Sequence, residues 1–430
     1  HRPSPAMMRS HSAITASCAP LVSATAATNL SPHQWSDIVQ YLTADEFKAL
    51  RLAGSKDMNL ADPSLTCHLT LRIDRAPFFS TANNNFTVSQ AKKWLANRHR
   101  LVVNDASPKI CSHRVAYLVA NGFLDSVSEI VIFDCHVHRT IFALLAQLPN
   151  IESLKLASHG GDEEEGVLDE LEIMVASVGR IYGLKHLDLE FDSVVHGSRL
   201  SFLRNLQRLQ SLRLRGFDLS DGISSMGGLN NLTSLHLCHG NFYSSPSNDV
   251  NEKDLTHLMC LTNLQEVHLE GVDGLTNIGL DPFSTKTASV KRLVLKHCQD
   301  MNEECLPSIG RMEHLTSLHI VHSAYDEVPI FDTESLQHMN TLVALKSLSL
   351  FYVLEDPSDL KDLWGLSSLE TLNIALEDKL DKEDVDDLCE TVLPMFGSLR
   401  KLRIFSEDGM AYSCPCGDIE VEHAPFTFGD

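Results

Sequence analysis

Apolar residues recur at fixed intervals along this chain, and the stretch from Leu229 to Leu237 shows the interval most clearly. Its leucines stand at relative positions 1, 4, 7 and 9, with polar residues between them. The alternation that ends the stretch has a period of two residues, which predicts a short strand with one buried face. A strand this short cannot bury that face alone, so we expect neighbouring strands of the same kind.

The third apolar position of this nine-residue template recurs at intervals of 23 to 33 residues. It falls at Ile130, Leu154, Leu187, Leu212, Leu235, Val267, Leu293, Leu318, Leu348, Leu372 and Leu402, with weaker copies at Leu71 and Leu101. Leucine-rich repeats are typically about 20–29 residues long, so the longer intervals indicate insertions. The pattern predicts an α/β fold over residues 66–405: a leucine-rich-repeat solenoid, a horseshoe with a parallel sheet on its concave side.

Three segments between the predicted strands have apolar residues at helical spacing, namely residues 252–259, 334–339 and 383–389. They predict that these repeats return through helices. Cys135 and Cys298 stand three residues after the last apolar strand position of their repeats, where regular arrays often carry Asn or Cys. Most other copies lack this residue, so we expect irregular turns. Residues 406–430 are expected to form a C-terminal cap and tail.

The first 65 residues differ in character from the repeats. Residues 1–29 are rich in Ser, Ala and Thr, and no acidic residue precedes Asp37. This composition fits a disordered leader, which we favour, or an organelle transit peptide. From residue 30 to residue 65 the apolar residues take helical spacing, with Ser31 suited to a cap and Pro32 to a first turn. We expect three short helices that need a neighbouring domain or partner to be stable.

The spacing of this segment is given by Leu30, Pro32, Trp35, Ile38, Tyr41, Leu42, Phe47, Leu50, Arg51, Leu52, Ser55, Lys56, Pro63, Ser64 and Leu65. In the order and intervals of these residues, the segment 30–65 resembles an F-box, the helical motif that docks substrate receptors onto the adaptor subunit of cullin-RING ubiquitin ligases. The resemblance implies that this module binds the adaptor through Leu30, Pro32, Trp35, Ile38, Leu42, Phe47 and Leu50. Another interpretation needs no adaptor: an open solenoid exposes its first repeat, and a plain helical cap would shield it.

Side chains that stand between the strand leucines are expected to point to the concave face of the horseshoe. Arginine and exposed aromatic residues are enriched where proteins bind one another, although a solvated strand face also tolerates them. We therefore predict that the target-binding face includes Asp188, Glu190, Arg213, Arg215, His236, His268, His319, Phe351 and Phe405.

The histidines of this face, together with Cys238, raise the question of a zinc site. Val294 separates His319 from His236 and His268, and no further ligand completes a tetrahedral set by sequence reasoning alone. The sequence therefore predicts ordinary surface histidines, with no metal site and no cofactor.

Bulk properties narrow the function classes. The formal net charge of −22 argues against a nucleic-acid partner. No window approaches the roughly eighteen apolar residues of a membrane span, so no membrane association is expected. The eleven cysteines are scattered mostly singly, which favours a reducing compartment, either cytoplasm or nucleus.

No phosphate-binding loop, nucleophile elbow or metalloprotease helix occurs in the sequence, so we do not expect an enzyme. The leading hypothesis is the substrate-recognition subunit of an SCF-type ubiquitin ligase, whose partners are the adaptor subunit and an unknown protein target. The alternative is a leucine-rich-repeat scaffold or inhibitor without ligase links, in which the N-terminal helices only cap the solenoid.

Overall fold

A computed structural model describes part of the chain. It covers residues 70–72, 99–103, 115–116, 118–120, 122–133, 140–158, 173, 175–220, 222–239, 250, 252–272, 274–285, 289–298, 301–322, 331, 334–354, 357–375, 388–406 and 420–425. The predicted leader, the F-box-like module 30–65 and its seven proposed adaptor-binding residues lie outside these ranges. The chain divides into two compact units: unit 1 comprises His1–Cys135 and Leu148–Asn150, and unit 2 comprises His136–Gln147 and Ile151–Asp430.

Three short parallel strands form the described sheet of unit 1. They are β1 (Thr70–Arg72), β2 (Arg100–Val103) and β3 (Glu129–Phe133), paired in chain order. Leu71 lies opposite Leu101, which lies opposite Ile130, as the template predicts for its third apolar position.

Unit 2 continues the pattern with eleven strands in its described residues. These are β4 (Ser153–Ser158), β5 (His186–Val195), β6 (Ser211–Phe217), β7 (Ser234–Cys238), β8 (Glu266–Glu270), β9 (Arg292–Lys296), β10 (Ser317–Val321), β11 (Ser347–Phe351), β12 (Thr371–Ala375), β13 (Lys401–Ser406) and β14 (Glu420–Pro425). Each is parallel to the next in the chain. The template did not identify β14, which lies within the predicted C-terminal cap and tail.

The strand register explains how the template leucines build a core. Position three of each repeat pairs with position three of the next, as Leu212 does with Leu235 and Leu235 with Val267. All four leucines of the opening template have no exposed surface. The predicted buried face of the strand is therefore confirmed. It is buried because the adjacent repeats cover apolar surface that a single short strand would leave exposed.

The return segments are short helices of mixed type. Four α-helices have their bounds within the described residues, namely α1 (Thr140–Leu145), α2 (Glu252–Leu255), α3 (Asn277–Ser284) and α4 (Leu306–Gly310). The 3-10 segments are Gly197–Asn205, Ile223–Ser225, Thr256–Cys260, Glu303–Cys305, Ser335–Thr341, Pro357–Leu363 and Leu393–Met395, and Leu388–Val392 is a π-helical turn. Among the described residues, no helix is long and apolar enough to cross a membrane.

Two of the three predicted helical returns were right in position and partly wrong in type. Of the third, residues 383–387 lie outside the described ranges, and Leu388 and Cys389 begin a π-helical turn. Residues 252–259 begin as α2 and continue as a 3-10 segment, and the return near residue 336 is 3-10 throughout. Leu336, Met339 and Leu342 are three residues apart and have no exposed surface. A helix with three residues per turn aligns such positions on one side, which accounts for the tighter winding.

Polar side chains bind backbone carbonyl groups of the preceding repeat. Asn231 Nδ2 donates to the carbonyl oxygen of Gln207 at 2.8 Å, and Asn263 Nδ2 donates to that of Asn230 at 2.7 Å. Cys298, one of the two cysteines noted at the turn position, is buried and its thiol donates to the carbonyl of Leu269. The two asparagine bonds satisfy carbonyl groups of turn residues, whereas the thiol bond goes to a residue within β8.

Candidate protein-binding face

Opposite the leucine core, the sheet of unit 2 presents a second face, which we call the polar strand face. It consists of the side chains between the strand leucines and those two residues further along, on β4 to β13. Strand side chains alternate between faces, and the parallel register stacks equivalent positions in columns. His236 thus lies between Arg213 and His268, as the sequence predicted.

Charged groups from three adjacent strands meet at one end of this face. Lys155 Nζ on β4 lies 2.9 Å from Asp188 Oδ2 and 3.2 Å from Glu190 Oε2 on β5. On the other side, Arg213 Nε on β6 is 3.9 Å from Asp188 Oδ1, and Arg215 Nη1 is 3.7 Å from Glu190 Oε1. The acidic pair of β5 is therefore held between basic residues on both neighbouring strands.

The titration of these groups reflects that arrangement. Burial alone would raise the pKa of the Glu190 carboxyl, but its hydrogen bond and charge interaction with Lys155, helped by Arg213 and Arg215, lower that pKa below its ordinary value. Burial would likewise lower the pKa of the Lys155 ammonium, yet Asp188 and Glu190 raise it overall. Both groups are charged at neutral pH and stabilise each other.

Replacing Glu190 by glutamine is expected to reduce the free energy of unfolding by about 1 kcal/mol near pH 7. A carboxyl whose pKa is lowered on folding stabilises the protein above its unfolded-state pKa, and this contribution is lost as pH falls through the folded-state pKa. The difference between wild type and E190Q should therefore shrink towards about pH 3, as urea unfolding at both pH values will measure.

The matched control for E190Q is Glu152→Gln. Glu152 Oε1 pairs with Lys185 Nζ at 2.6 Å, but half of its side-chain surface is exposed against 16% for Glu190. Because exposed pairs contribute little, E152Q should change stability less. An E190Q effect that persists unchanged at acid pH would show that Glu190 acts through packing rather than charge.

Histidines occupy the middle of the polar strand face. The rings of His236 and His268 stack with centroids 3.7 Å apart and planes at 14°, and His268 Nε2 lies 3.5 Å from Glu270 Oε2. Burial, followed by the neighbouring His268 and Arg213, lowers the pKa of His236 to about 3. Burial alone would raise the pKa of Glu270, but His268 and nearby groups lower it to about 2. At neutral pH, His236 is therefore neutral and Glu270 is an anion.

Two phenylalanines lie at the other end of the face, on β11 and β13. Phe351 was expected to be an exposed aromatic, but only 6% of its surface is accessible. Its ring packs edge-on against Phe405 at 5.0 Å and His319 at 5.1 Å, and it clusters with Val321 and Ala375. Side chains from adjacent strands thus cover Phe351, while Phe405 remains partly exposed.

Among the described residues, the most exposed aromatic side chains lie elsewhere, in the return segments. Trp364 is 65% exposed and Tyr182 is 64% exposed, and both were absent from the predicted face. Tyr182 directly follows the first apolar position of its template copy, as does Val343, which is 56% exposed. Most repeats carry a polar or small residue there, so an apolar residue at that position was a signal available in the sequence.

Sequence comparisons identify no relative of this chain. No family model matches it. No curated protein matches it either.

Structure comparisons find similar solved folds at low identity. They include a leucine-rich-repeat protein of Leptospira interrogans, with 16% identity, a TM-score of 0.36, and coverage of 74% of this chain and 81% of that one. A chain of the Rad7 and Elc1 complex in yeast has 15% identity, a TM-score of 0.45, and coverage of 88% and 98%. A chain of the TLR13–ssRNA13 complex has 15% identity, a TM-score of 0.39, and coverage of 72% and 46%.

These similarities concern the fold and carry no argument about function. The fold itself is established by the chain's own geometry: one short parallel strand per repeat, paired in chain order, with leucines in register from strand to strand. The chain has a leucine-rich-repeat fold.

Proposed function

We propose that this chain is a protein-binding repeat protein, and that it serves as the substrate-recognition subunit of an SCF-type ubiquitin ligase. In this proposal, the polar strand face of unit 2 binds the target. The F-box-like module 30–65 binds the adaptor subunit, and the chain itself carries out no catalysis.

The observation that carries the binding role is the pair of arginines on β6. Arg213 and Arg215 are each 39% exposed, and their ion-pair distances of 3.9 and 3.7 Å exceed those of Lys155. A guanidinium group has five N–H donors, so these loose contacts leave donors for a carboxylate of the target. Arginine is also enriched among the residues that dominate binding energy.

The rigidity of the sheet supports the same role. The side chains of this face project from strands whose leucines are fully buried in a continuous core, so little conformational entropy is lost when a partner docks. Because Asp188 and Glu190 already neutralise part of the positive charge, a target with an acidic group flanked by neutral ones would fit better than a highly acidic surface.

The ligase role has a separate support, which is the resemblance of residues 30–65 to an F-box. The two roles can therefore fail independently, and one experiment distinguishes them.

That experiment purifies the full chain and two double variants from cells and measures co-purification with the adaptor subunit and with target proteins. Changing both Leu30 and Pro32 to alanine should abolish adaptor recovery and leave target recovery intact. Changing Arg213 and Arg215 to glutamate should do the reverse, with at least a tenfold loss of targets, because charged residues at an interface centre cost about 2 kcal/mol or more when reversed.

Arg204→Glu with Arg208→Glu is the control for charge reversal. Both arginines are exposed on a return segment, and the net charge changes equally. This control should retain both partners. A wild-type chain that recovers no adaptor would refute the ligase role and leave a scaffold or inhibitor. If the R213E/R215E variant still binds all the proteins that wild type binds, the polar strand face is not the target-binding surface.

A further inference from the structure

Two histidines and one glutamate converge on the polar strand face of unit 2. His268 and Glu270 are two residues apart on β8 and point to the same side, and His236 lies directly opposite His268 on β7. Because adjacent strands are about 4.8 Å apart, side chains so placed can bring their ends together. One ligand atom of each residue lies within 4.8 Å of the other two.

The nitrogen atoms of this group lack ordinary hydrogen-bond partners. Nε2 of His236 is buried without a hydrogen bond to any part of the chain that the structure describes. Nε2 of His268 is also buried, and its 3.5 Å contact with Glu270 Oε2 is longer than an ordinary hydrogen bond. Buried polar atoms are normally paired, so an orphan atom indicates a group that pairs with it when the site is complete.

We propose that His236, His268 and Glu270 bind a Zn²⁺ ion through two imidazole nitrogens and one carboxylate oxygen. Zinc commonly takes nitrogen and carboxylate ligands in this combination, with a fourth position for water. Two neutral imidazoles and one carboxylate supply a single negative charge to the dication. The fourth position lies on the same face that we assign to the target.

Coordination requires one local movement. An imidazole nitrogen binds a metal ion that lies in the plane of its ring. The two stacked rings have nearly parallel planes with centroids 3.7 Å apart, so one ion cannot lie in both planes. Rotation of one ring about its Cβ–Cγ bond turns its lone pair towards the other two ligands, and this torsion has broad, shallow minima in histidine. The ligand atoms must also approach, since zinc bonds are about 2.0–2.2 Å long.

A buried cysteine lies next to the site. Cys238 lies opposite Glu270 in the strand register and is 2% exposed. Its thiol donates to the backbone carbonyl oxygen of His239, with a distance of 3.7 Å between sulfur and oxygen. The proposed ligand set therefore leaves Cys238 out.

Two cationic side chains near the site let the proposal predict how zinc affinity changes when one of these charges is removed. Lys296 on β9 lies opposite Glu270, and Arg213 on β6 lies opposite His236. Each repels a dication held by the three ligands. Removing the charge of Lys296 should therefore strengthen zinc binding, an effect that a purely structural role for the histidines would not produce.

The sequence places His236, His268 and His319 in one column of the face, and it indicates no further ligand that would complete a metal site with them. The structure adds Glu270 from the adjacent column and leaves His319 out, because Val294 on β9 separates His319 from His268. The proposed zinc site therefore replaces the sequence-based prediction of ordinary surface histidines at this position.

The test measures zinc binding by the full chain after removal of metals with a chelator. Isothermal titration with Zn²⁺ gives the number of sites, and Co²⁺ absorption reports tetrahedral coordination. Since the chain has 21 histidines and 11 cysteines, the difference between variants is decisive rather than the total. His268→Ala and Glu270→Gln should each lose one equivalent, or weaken it by at least about tenfold, since even indirect partners of a metal can contribute that much.

His319→Ala is the matched control, because it removes a histidine of the same column two strands away. It should keep the full stoichiometry, and Lys296→Gln should bind Zn²⁺ a few-fold more tightly. Circular dichroism of the metal-free variants checks folding, and E270Q decides the outcome if H268A does not fold. Equal stoichiometry together with equal affinity in wild type and E270Q would overturn the proposal, as would an equal loss in H319A.

Discussion

Replacing Gly216 by alanine is expected to destabilise unit 2 by about 3 kcal/mol or more. Gly216 has a φ of +79°, a conformation that alanine adopts only at a cost of roughly 1–2 kcal/mol. In addition, an added Cβ would lie 2.1 Å from the carbonyl oxygen of Phe191, a backbone atom that cannot move aside alone. The strain and the clash act together.

The reason for this conformation is an irregularity between β5 and β6. Glu190 lies opposite Arg215 and Val195 lies opposite Phe217, so four residues of β5 face the single residue Gly216. The bulge brings the backbone of Phe191 against Gly216, and its ring packs edge-on against Phe217 at 5.6 Å. Only a residue without a side chain fits there.

Urea unfolding followed by circular dichroism measures the effect, with Gly397→Ala as the control. Apart from Gly397 and its two chain neighbours, no residue has an atom within 4 Å of a Cβ added there, so this variant should remain within about 0.5 kcal/mol of wild type. A G216A protein as stable as G397A would show that the bulge can shift without loss.

Truncating Leu235 to alanine should reduce the free energy of unfolding by about 2–5 kcal/mol. Leu235 has no exposed surface and lies in register between Leu212 and Val267 on the neighbouring strands. The loss combines the transfer free energy of the removed methyl groups with the cavity left behind. Since both adjacent repeats contact that cavity, the damage extends beyond one repeat.

The comparison variant is Val343→Ala, which removes apolar atoms from a side chain that is 56% exposed. It should change stability by less than about 0.5 kcal/mol. Denaturant titration of both proteins, together with amide exchange of the β6–β8 strands, separates local from global loss. A small effect of L235A would contradict the close packing of the leucine column.

Much of the repeat architecture could be predicted because leucine spacing reports directly on burial. Each strand alternates sides, and every repeat places its leucines at the same offsets, so the third template position alone locates β1 to β13. β14 was not predicted because only Val421, at the third template position, is apolar, and the two preceding template positions carry no leucine. The helix type of the return segments was not predicted either, because α-helices and 3-10 helices differ by less than one residue per turn.

The face opposite the leucines was predicted less completely. Position along the strand placed His236, His268 and Arg213 on that face, which needs only the alternation of a strand. Burial of Phe351 depends instead on Phe405 and His319, which come from other strands, so no local pattern reveals it.

The amino-acid sequence alone was sufficient for the repeat count of the strong copies, the positions of β1 to β13 and the buried leucine column, because all three depend on spacing within one repeat. The tertiary structure was needed to identify the side-chain contacts between repeats. These are Lys155 with Glu190, His236 with His268, and Glu270 with both histidines. These contacts join residues up to 35 positions apart in the chain. Their distances depend on strand register and on side-chain rotation, which hydrophobic spacing does not encode.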